Sequence, residues 1–159
     1  MPDDFARDMI LLYSKKGDAV WDGCCGSGVV PRAARRLGRD GYGTDVNPKA
    51  IEICRMHDPA APQDRYVIAD ARRAKWGFKF DLVLSSLPFG LQDGKNAYSD
   101  GPDDISRAST YGGFYSGAGQ IIRNYYHSLK PGGVCVLDAR DRTHQHLSLI
   151  HISEPTRPY

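Results

Sequence analysis

One ten-residue stretch, Ala19-Val-Trp-Asp-Gly-Cys-Cys-Gly-Ser-Gly28, constrains the fold of this chain more than any other part of its sequence. Residues 19–21 are apolar and predict a short strand that ends at Asp22. Gly26 and Gly28 let the backbone turn tightly and let a ligand lie against main-chain N–H groups. Residues 29–37 then carry apolar side chains at helical spacing. A strand, a glycine-rich turn and a helix in this order predict a ligand site at the carboxyl end of an α/β sheet.

Two carboxylates indicate which ligand this turn holds. Pro31 stands where the dinucleotide fingerprint has its third glycine, which counts against a nicotinamide oxidoreductase. Asp22 would repel a pyrophosphate but would attract an ammonium group. Asp45 follows the next predicted strand, 41–44, where an acidic residue accepts hydrogen bonds from ribose hydroxyls. An adenosine ligand with an amino-acid cation and no pyrophosphate is S-adenosylmethionine.

With these residues the sequence resembles the class I S-adenosylmethionine-dependent methyltransferases, and more narrowly the amino-methyltransferases of DNA that act on adenine-N6 or cytosine-N4. Their first motif reads like Asp-Pro-Phe-Cys-Gly-Ser-Gly, which stands here as Asp22-Gly-Cys-Cys-Gly-Ser-Gly28. The resemblance implies a doubly wound Rossmann-like α/β sheet, with each strand followed by a helix. It also implies that the cofactor is bound by Asp22, Gly26, Gly28, Asp45 and Asp70. Asp70 ends the third predicted strand, 66–70, and could instead act only as a helix cap.

A second motif, Ser86-Leu-Pro-Phe89, follows the apolar strand that is predicted to start at Asp81. It resembles the [Asp/Asn/Ser]-Pro-Pro-[Tyr/Phe/Trp] motif of the same family. An exocyclic amine is a poor nucleophile because its lone pair is delocalised into the ring, and two acceptors for its hydrogens favour a more nucleophilic nitrogen. The resemblance implies that Ser86 supplies one acceptor, Leu87 supplies its carbonyl, and Pro88 and Phe89 help to present the flipped base, with Phe89 stacking on it.

Leu87 departs from the family pattern because it replaces the first proline of the motif. Leucine adds an N–H and loosens φ at the residue whose carbonyl must be aimed. This could lower the activity, or the target could be something other than a base amine. If the chain is an enzyme, the change Leu87→Pro is expected to raise activity. The alternatives are methylation of RNA (guanine-N2) or of a protein amide, and a non-catalytic nucleotide-binding module.

Size and composition restrict the setting. At 159 residues the chain fits one domain, and its net charge of +2 is too small to indicate nucleic acid by itself. DNA as partner, with RNA as the alternative, therefore follows only from the resemblance. The four cysteines form no disulfide pattern and no membrane span or signal peptide is visible, so a cytoplasmic protein with no membrane partner is expected. The five histidines lack ligand spacing, so no metal site is expected. Nothing indicates the oligomeric state.

Two further segments carry predictions. Residues 90–117 are polar with scattered aromatics, which predicts a long loop facing the target, followed by a helix from Ala118. The helix after the cofactor turn carries Arg32, Arg35, Arg36 and Arg39, which form either a solvated face or phosphate contacts.

The carboxyl-terminal segment predicts a domain boundary. Residues 147–159 resemble the translation of a transposon-end adapter used in preparing DNA sequencing libraries. We therefore expect a methyltransferase domain at 1–146, incomplete at its carboxyl end, and a non-native tail at 147–159. Five of the usual seven strands would be present. The fifth strand would then be an uncovered edge.

Overall fold

A computed structural model describes residues 1–88, 90 and 98–139, together with the backbone of 151–153. Six strands form one sheet in the order β3-β2-β1-β4-β5-β6. The first five run parallel, whereas β6 is antiparallel to β5. The predicted α/β, Rossmann-like sheet with five parallel strands is confirmed. The strands are β1 (Ala19–Asp22), β2 (Asp40–Asp45), β3 (Tyr66–Ile68), β4 (Phe80–Ser86), β5 (Leu129–Asp138) and β6 (His151–Ser153).

Four α-helices cover the two faces of the sheet. Alternate residues of β4 serve opposite faces: Leu82 and Leu84 pack with α1 and α2, whereas Val83 packs with α4. Burial on both faces explains why this strand is a continuous apolar run. No helix in the described part of the chain is long and apolar enough to cross a membrane. The helices are α1 (Asp3–Tyr13), α2 (Val29–Arg36), α3 (Pro48–His57) and α4 (Tyr111–Ser128).

The expectation that each strand is followed by a helix is wrong between β3 and β4. Residues 69–79 form turns, a bend and irregular chain, and two aromatic side chains cover the sheet there instead of a helix. Trp76 lies edge-on to Trp21 at 6.3 Å, and Phe78 contacts Tyr42 at 5.0 Å between ring centroids. Large rings bury enough apolar area to replace a helix in an eleven-residue connection.

The segment predicted as one long loop is partly helical. Helix α4 begins at Tyr111, seven residues before the predicted start, and the Thr110 side chain caps it by accepting a hydrogen bond from the Gly113 N–H at 3.1 Å. The first turns contain Gly112, Gly113 and Gly117, whose low helix propensity hides the helix from pattern-based prediction. Residues 91–97 of the segment lie outside the described residues.

The expectation that the fifth strand is an uncovered edge is wrong, because the backbone of β6 pairs with it at Cys135, Val136 and Leu137. This short antiparallel strand falls within the predicted tail, 147–159. The other residues of that tail lie outside the described part of the chain.

Pro31 and Gly41 form the closest contact between α2 and β2. A Cβ atom added at Gly41 would lie 2.7 Å from the Pro31 carbonyl carbon, and this neighbour is backbone that cannot rotate away. In the dinucleotide fingerprint the third glycine allows close packing of helix and strand. Here the helix carries proline at that place, and the glycine that allows close approach is on the strand.

We expect Gly41→Ala to lower the free energy of unfolding by about 3 kcal/mol, because a methyl group there forces α2 away from β2. Urea denaturation of the full chain measures this change. Gly119→Ala is the matched control, since it adds a methyl group to an exposed helical glycine with no atom within 4 Å. The control should be neutral or stabilising by up to about 1 kcal/mol. Equal effects of the two changes would contradict the packing argument.

Candidate active site

A cavity of about 370 Å³ opens where the parallel strands end. Seven of the nine site residues singled out from the sequence line it, although they come from four different strand ends. Gly28 does not line it, and Phe89 lies outside the described residues. The seven are Asp22, Gly26, Asp45, Asp70, Ser86, Leu87 and Pro88.

Asp22 is held at the floor of this cavity by a chain of hydrogen bonds. The Ser85 hydroxyl donates to Asp22 Oδ1 at 2.7 Å, and the Tyr125 hydroxyl donates to Ser85 Oγ at 3.0 Å. The Cys24 N–H donates to the same carboxylate oxygen at 3.1 Å. These bonds fix the orientation of the carboxylate while it remains part of the cavity wall.

Burial controls the charge of Asp22. The residue is only 4% exposed, and this burial raises the pKa of its carboxyl group to about 7. The hydrogen bonds from Ser85 and Cys24 oppose the shift without cancelling it. A cation placed beside Asp22 would favour its ionised form, so the site is suited to a positively charged group.

Asp45 ties the cofactor turn to β2. Its Oδ2 atom accepts a hydrogen bond from the Gly26 N–H at 2.8 Å, and its Oδ1 atom accepts one from the Asn47 N–H at 2.9 Å. A carboxylate oxygen has two lone pairs, so each oxygen keeps acceptor capacity for a ligand hydroxyl. Burial raises the pKa of this carboxyl group too.

The two predicted glycines differ in their roles. Gly26 has φ of +50° and open space beside it, so nothing on the chain prevents a ligand from approaching its backbone. Gly28 has φ of +79° and precedes α2, and an added Cβ would lie 2.9 Å from Cys54 Sγ. Gly28 therefore allows the backbone of the turn to pack against Cys54 and does not form part of the cavity wall.

Asp70 lines the cavity but is already engaged by two arginines. Both of its oxygens accept from Arg72 Nε, at 3.0 and 2.9 Å, and Arg73 lies 3.0 Å from Oδ2. Arg72 also donates to Asp103 Oδ1 at 3.0 Å. Arg72 thus joins the end of β3 to the segment that carries Asp103 and Asp104, two further carboxylates of the cavity wall.

Ser86 and Asp138 meet at the ends of β4 and β5. The two residues are register partners, and the Ser86 hydroxyl donates to Asp138 Oδ2 at 2.8 Å. An ionised carboxylate can only accept, so the single hydroxyl proton is directed at Asp138. The lone pairs of Ser86 Oγ remain free to accept hydrogen bonds in the cavity.

Leu87 uses the N–H that a proline would lack. This N–H donates to the Asp138 carbonyl oxygen at 3.2 Å and so continues the pairing of β4 with β5 by one residue. The bond argues against the prediction that a proline at this position would raise activity, which only rate measurements can test. It also gives the departure from the family pattern a structural role.

We expect Leu87→Pro to lower any transfer activity by about tenfold, because losing this hydrogen bond costs about 1 kcal/mol and separates the strand ends that hold Ser86 and Asp138 together. Leu87→Ala is the control, since it keeps the N–H and removes only side-chain packing. Initial rates of the two variants at saturating cofactor measure the difference. A rate for Leu87→Pro above that of the unchanged chain would refute the structural role of this bond.

Aromatic side chains stand next to the turn that carries Ser86. An added Cβ at Gly90 would lie 3.0 Å from the Phe114 ring, so this ring covers the backbone just after the motif. Tyr111 and Tyr115 on the same helix stack at 6.2 Å between centroids and are 52% and 66% exposed. Flat exposed rings at this place can contact an unstacked base.

The cavity also contains two cysteines. Burial raises the pKa of Cys24, and a hydrogen bond with Cys54, together with burial, raises that of Cys25. Both are free thiols in the structure and remain protonated near neutral pH. Neither therefore acts as a thiolate nucleophile. Within the described residues no group of His, Cys, Asp or Glu side chains is arranged to hold a metal ion.

Sequence reasoning missed the residues that support this site from elsewhere in the chain. Asp138 had a visible signal, since it ends the apolar run 134–137 just as Asp22 ends the apolar run 19–21. Ser85 and Tyr125 had none, because each looks like an ordinary core residue in its own segment. Asp103 and Asp104 lay in the segment taken as a loop.

Comparison with known proteins agrees with the fold and with the first motif. Residues 1–56 match the family model of N6 and N4 methyltransferases described as DNA methylase. A type II methyltransferase of Thermus thermophilus, M.TthHB8I, is 28% identical over 148 residues, which cover 85% of this chain and 32% of the relative. This chain thus spans about a third of the length of that curated relative.

Solved structures share the same sheet. A TehB-like S-adenosylmethionine-dependent methyltransferase from Corynebacterium glutamicum superposes with a TM-score of 0.59 and 21% identity over 83% of this chain and 60% of that chain. CalS10 is an amino pentose methyltransferase from Micromonospora echinaspora that was solved with S-adenosylmethionine bound. It superposes with a TM-score of 0.59 and 20% identity over 87% of this chain and 49% of that chain. The chain therefore has the fold of the class I S-adenosylmethionine-dependent methyltransferases, and its residues 1–56 are similar to the N6 and N4 methyltransferase family described as DNA methylase.

Proposed function

We propose that this chain transfers a methyl group from S-adenosylmethionine to an exocyclic amine of adenine or cytosine in DNA. The observation that carries the proposal is a single cavity. It is lined both by Asp22 and Asp45, the carboxylates expected to bind the cofactor, and by Ser86, the residue expected to bind the amine. The Ser86 hydroxyl proton is held by Asp138, so its oxygen is available to an amine.

The residues present fit S-adenosylmethionine. Asp22 offers a buried carboxylate to the amino-acid ammonium group, and Asp45 offers two oxygens to the ribose hydroxyls. The open backbone at Gly26 lets the ligand approach closely. When bound, the cofactor supplies an electrophilic methyl group on its sulfonium sulfur.

The chain's own residues orient the amine. Ser86 Oγ accepts one amine hydrogen, and the Leu87 carbonyl oxygen is the second acceptor. Two acceptors draw the hydrogens out of the ring plane, which returns the lone pair to nitrogen. Asp138 keeps the Ser86 proton directed away from the amine. Asp70, which Arg72 and Arg73 hold in the cavity wall, would lie near the adenine of the cofactor.

DNA as the substrate is supported by the match of residues 1–56 and by the type II relative. The exposed pair of Tyr111 and Tyr115, on the helix whose Phe114 covers Gly90, is consistent with a base lifted out of a helix. The solved structures with the same fold include an amino pentose methyltransferase, so an amine of another molecule is the alternative substrate.

The test is transfer from tritium-labelled S-adenosylmethionine to separate pools of duplex DNA, RNA and protein, with the full chain. We expect label in DNA, and nucleoside analysis by mass spectrometry then distinguishes N6-methyladenine from N4-methylcytosine. Label in RNA or protein alone would overturn the DNA assignment while leaving methyl transfer intact. Cofactor binding without transfer to any pool would support a non-catalytic module.

A further inference from the structure

A second cavity, of about 230 Å³, lies between α2 and the end of α3. Three arginines and one histidine line it, with a single carboxylate among them. We refer to the four basic residues as the α2 arginine cluster. The lining residues are Arg32, Arg35, Arg36, His57 and Asp58.

The carboxylate does not neutralise this cluster. Asp58 is shared between Arg35, whose Nε lies 3.3 Å from Oδ2, and the Tyr66 hydroxyl, which donates to the same oxygen at 2.9 Å. Arg36 is exposed and makes no side-chain hydrogen bond or ion pair with any other described residue. Three guanidinium groups therefore face one carboxylate, which leaves an excess of positive charge at an open cavity.

The cluster adjoins the candidate active site. Arg32 Nη1 donates to the Ser27 carbonyl oxygen at 2.8 Å and contacts His57 Nδ1 at 3.2 Å. Ser27 itself lines the active-site cavity. Ser27 thus lines the active-site cavity and also bonds to Arg32 of the cluster.

The two cavities have opposite charge. Among the residues that the structure describes, the active-site cavity is lined by six aspartates and by no lysine or arginine side chain. Arg72 and Arg73 pair with two of them, and the other carboxylates would repel a phosphate group when ionised. A substrate that inserts a base there must keep its phosphates outside and needs positive charge nearby. The six are Asp22, Asp45, Asp70, Asp103, Asp104 and Asp138.

We propose that the α2 arginine cluster binds a backbone phosphate of the nucleic-acid substrate. The assignment to nucleic acid rests on the proposed function. Guanidinium groups bind phosphate oxygens through paired N–H donors, and Arg36 supplies such a pair with no competing partner among the described residues. The contact positions the duplex without reading its sequence.

The test compares Arg36→Gln with Arg123→Gln in the full chain. Both arginines are exposed on helices and make no side-chain bond to another described residue, but Arg123 lies on α4, across the sheet from the cluster. Glutamine keeps the helix propensity and removes the charge. Binding of a short fluorescein-labelled DNA duplex is measured by anisotropy over a range of salt concentrations, and cofactor binding is measured by calorimetry with S-adenosylhomocysteine.

We expect Arg36→Gln to weaken duplex binding about fivefold at low salt and to reduce the slope of log K against log salt by about 0.9, as for one lost phosphate contact. Arg123→Gln should change neither quantity, and both variants should bind S-adenosylhomocysteine normally. Unchanged duplex affinity and slope in Arg36→Gln, with the unchanged chain binding and methylating DNA, would overturn this inference alone. A chain that binds S-adenosylhomocysteine but no duplex would overturn the DNA assignment as well.

The source of the phosphate is tested by NMR of the His57 ring. Signals that shift with the duplex support the proposal, because His57 contacts Arg32 at the cluster. Signals that shift with inorganic phosphate but not with the duplex would identify a site for small anions only and would overturn it.

Discussion

Asp22→Asn should abolish most cofactor binding while leaving the fold intact. The amide keeps the shape of the side chain and an acceptor for Ser85, but it removes the negative charge that faces the cavity. A charged hydrogen bond of this kind contributes about 3 kcal/mol, which corresponds to about a 100-fold loss of affinity. Calorimetric titration with S-adenosylhomocysteine measures the change.

The same variant should be more stable than the unchanged chain in the absence of cofactor. Because burial raises the pKa of Asp22 to about 7, the folded protein holds a proton that the unfolded chain releases near pH 4. The stabilising contribution of this group is present below pH 4 and is lost as the pH rises through 7. At pH 8 we expect Asp22→Asn to unfold at a higher urea concentration than the unchanged chain. Its free energy of unfolding should be larger by as much as about 4 kcal/mol, and the difference should be smaller at pH 5.

Cofactor affinity of the unchanged chain should rise with pH, whereas the contribution of Asp22 to stability falls. If the ammonium group of the ligand binds the ionised Asp22 carboxylate, as proposed, affinity should fall by up to about tenfold for each pH unit below 7 and level off above it. Asp81→Asn is the matched control, because Asp81 lies outside the cavity and pairs with Lys130. An Asp22→Asn variant that binds S-adenosylhomocysteine normally would show that Asp22 does not contact the cofactor.

The first motif could be predicted because its chemistry is local. Asp22, Gly26 and the start of α2 lie within about eight residues, so their order alone indicates a strand, a turn and a helix that meet one ligand. The burial of Asp22 could not be predicted in the same way. It depends on Ser85, which lies 63 residues along the chain from Asp22, and on Tyr125, which lies 40 residues from Ser85.

The role of Leu87 shows a second limit. From the sequence, the residue is a departure from a proline motif, and the expected effect of its N–H is a looser turn. The N–H is in fact bonded to the Asp138 carbonyl oxygen, which only the register of β4 with β5 reveals. Likewise, Gly41 is an ordinary strand residue until α2 is placed against it.

Ser86→Ala should lower kcat by about 100-fold with little effect on cofactor affinity. Ser86 is the only side chain at the motif that offers an oxygen to the amine, and loss of one acceptor in a preorganised site typically has an effect of this size. Rates at saturating S-adenosylmethionine and DNA, with calorimetric binding of S-adenosylhomocysteine, separate the catalytic step from binding.

Asp138→Asn tests whether the two residues act as one unit. Two donors hold an oxygen at the Oδ1 position of Asp22, whereas Ser86 is the one described side chain that bonds to Asp138 Oδ2, so the amide of Asp138→Asn can turn its nitrogen toward Ser86 Oγ. The hydroxyl proton would then point toward the amine, and the acceptor would be lost. We therefore expect Asp138→Asn to lower kcat about as much as Ser86→Ala, and the double variant to be no slower than Ser86→Ala. Its backbone carbonyl still accepts from the Leu87 N–H, so the strand ends stay joined. Losses that multiply in the double variant would show that Asp138 acts on the reaction independently of Ser86, which the hydrogen bond between them argues against.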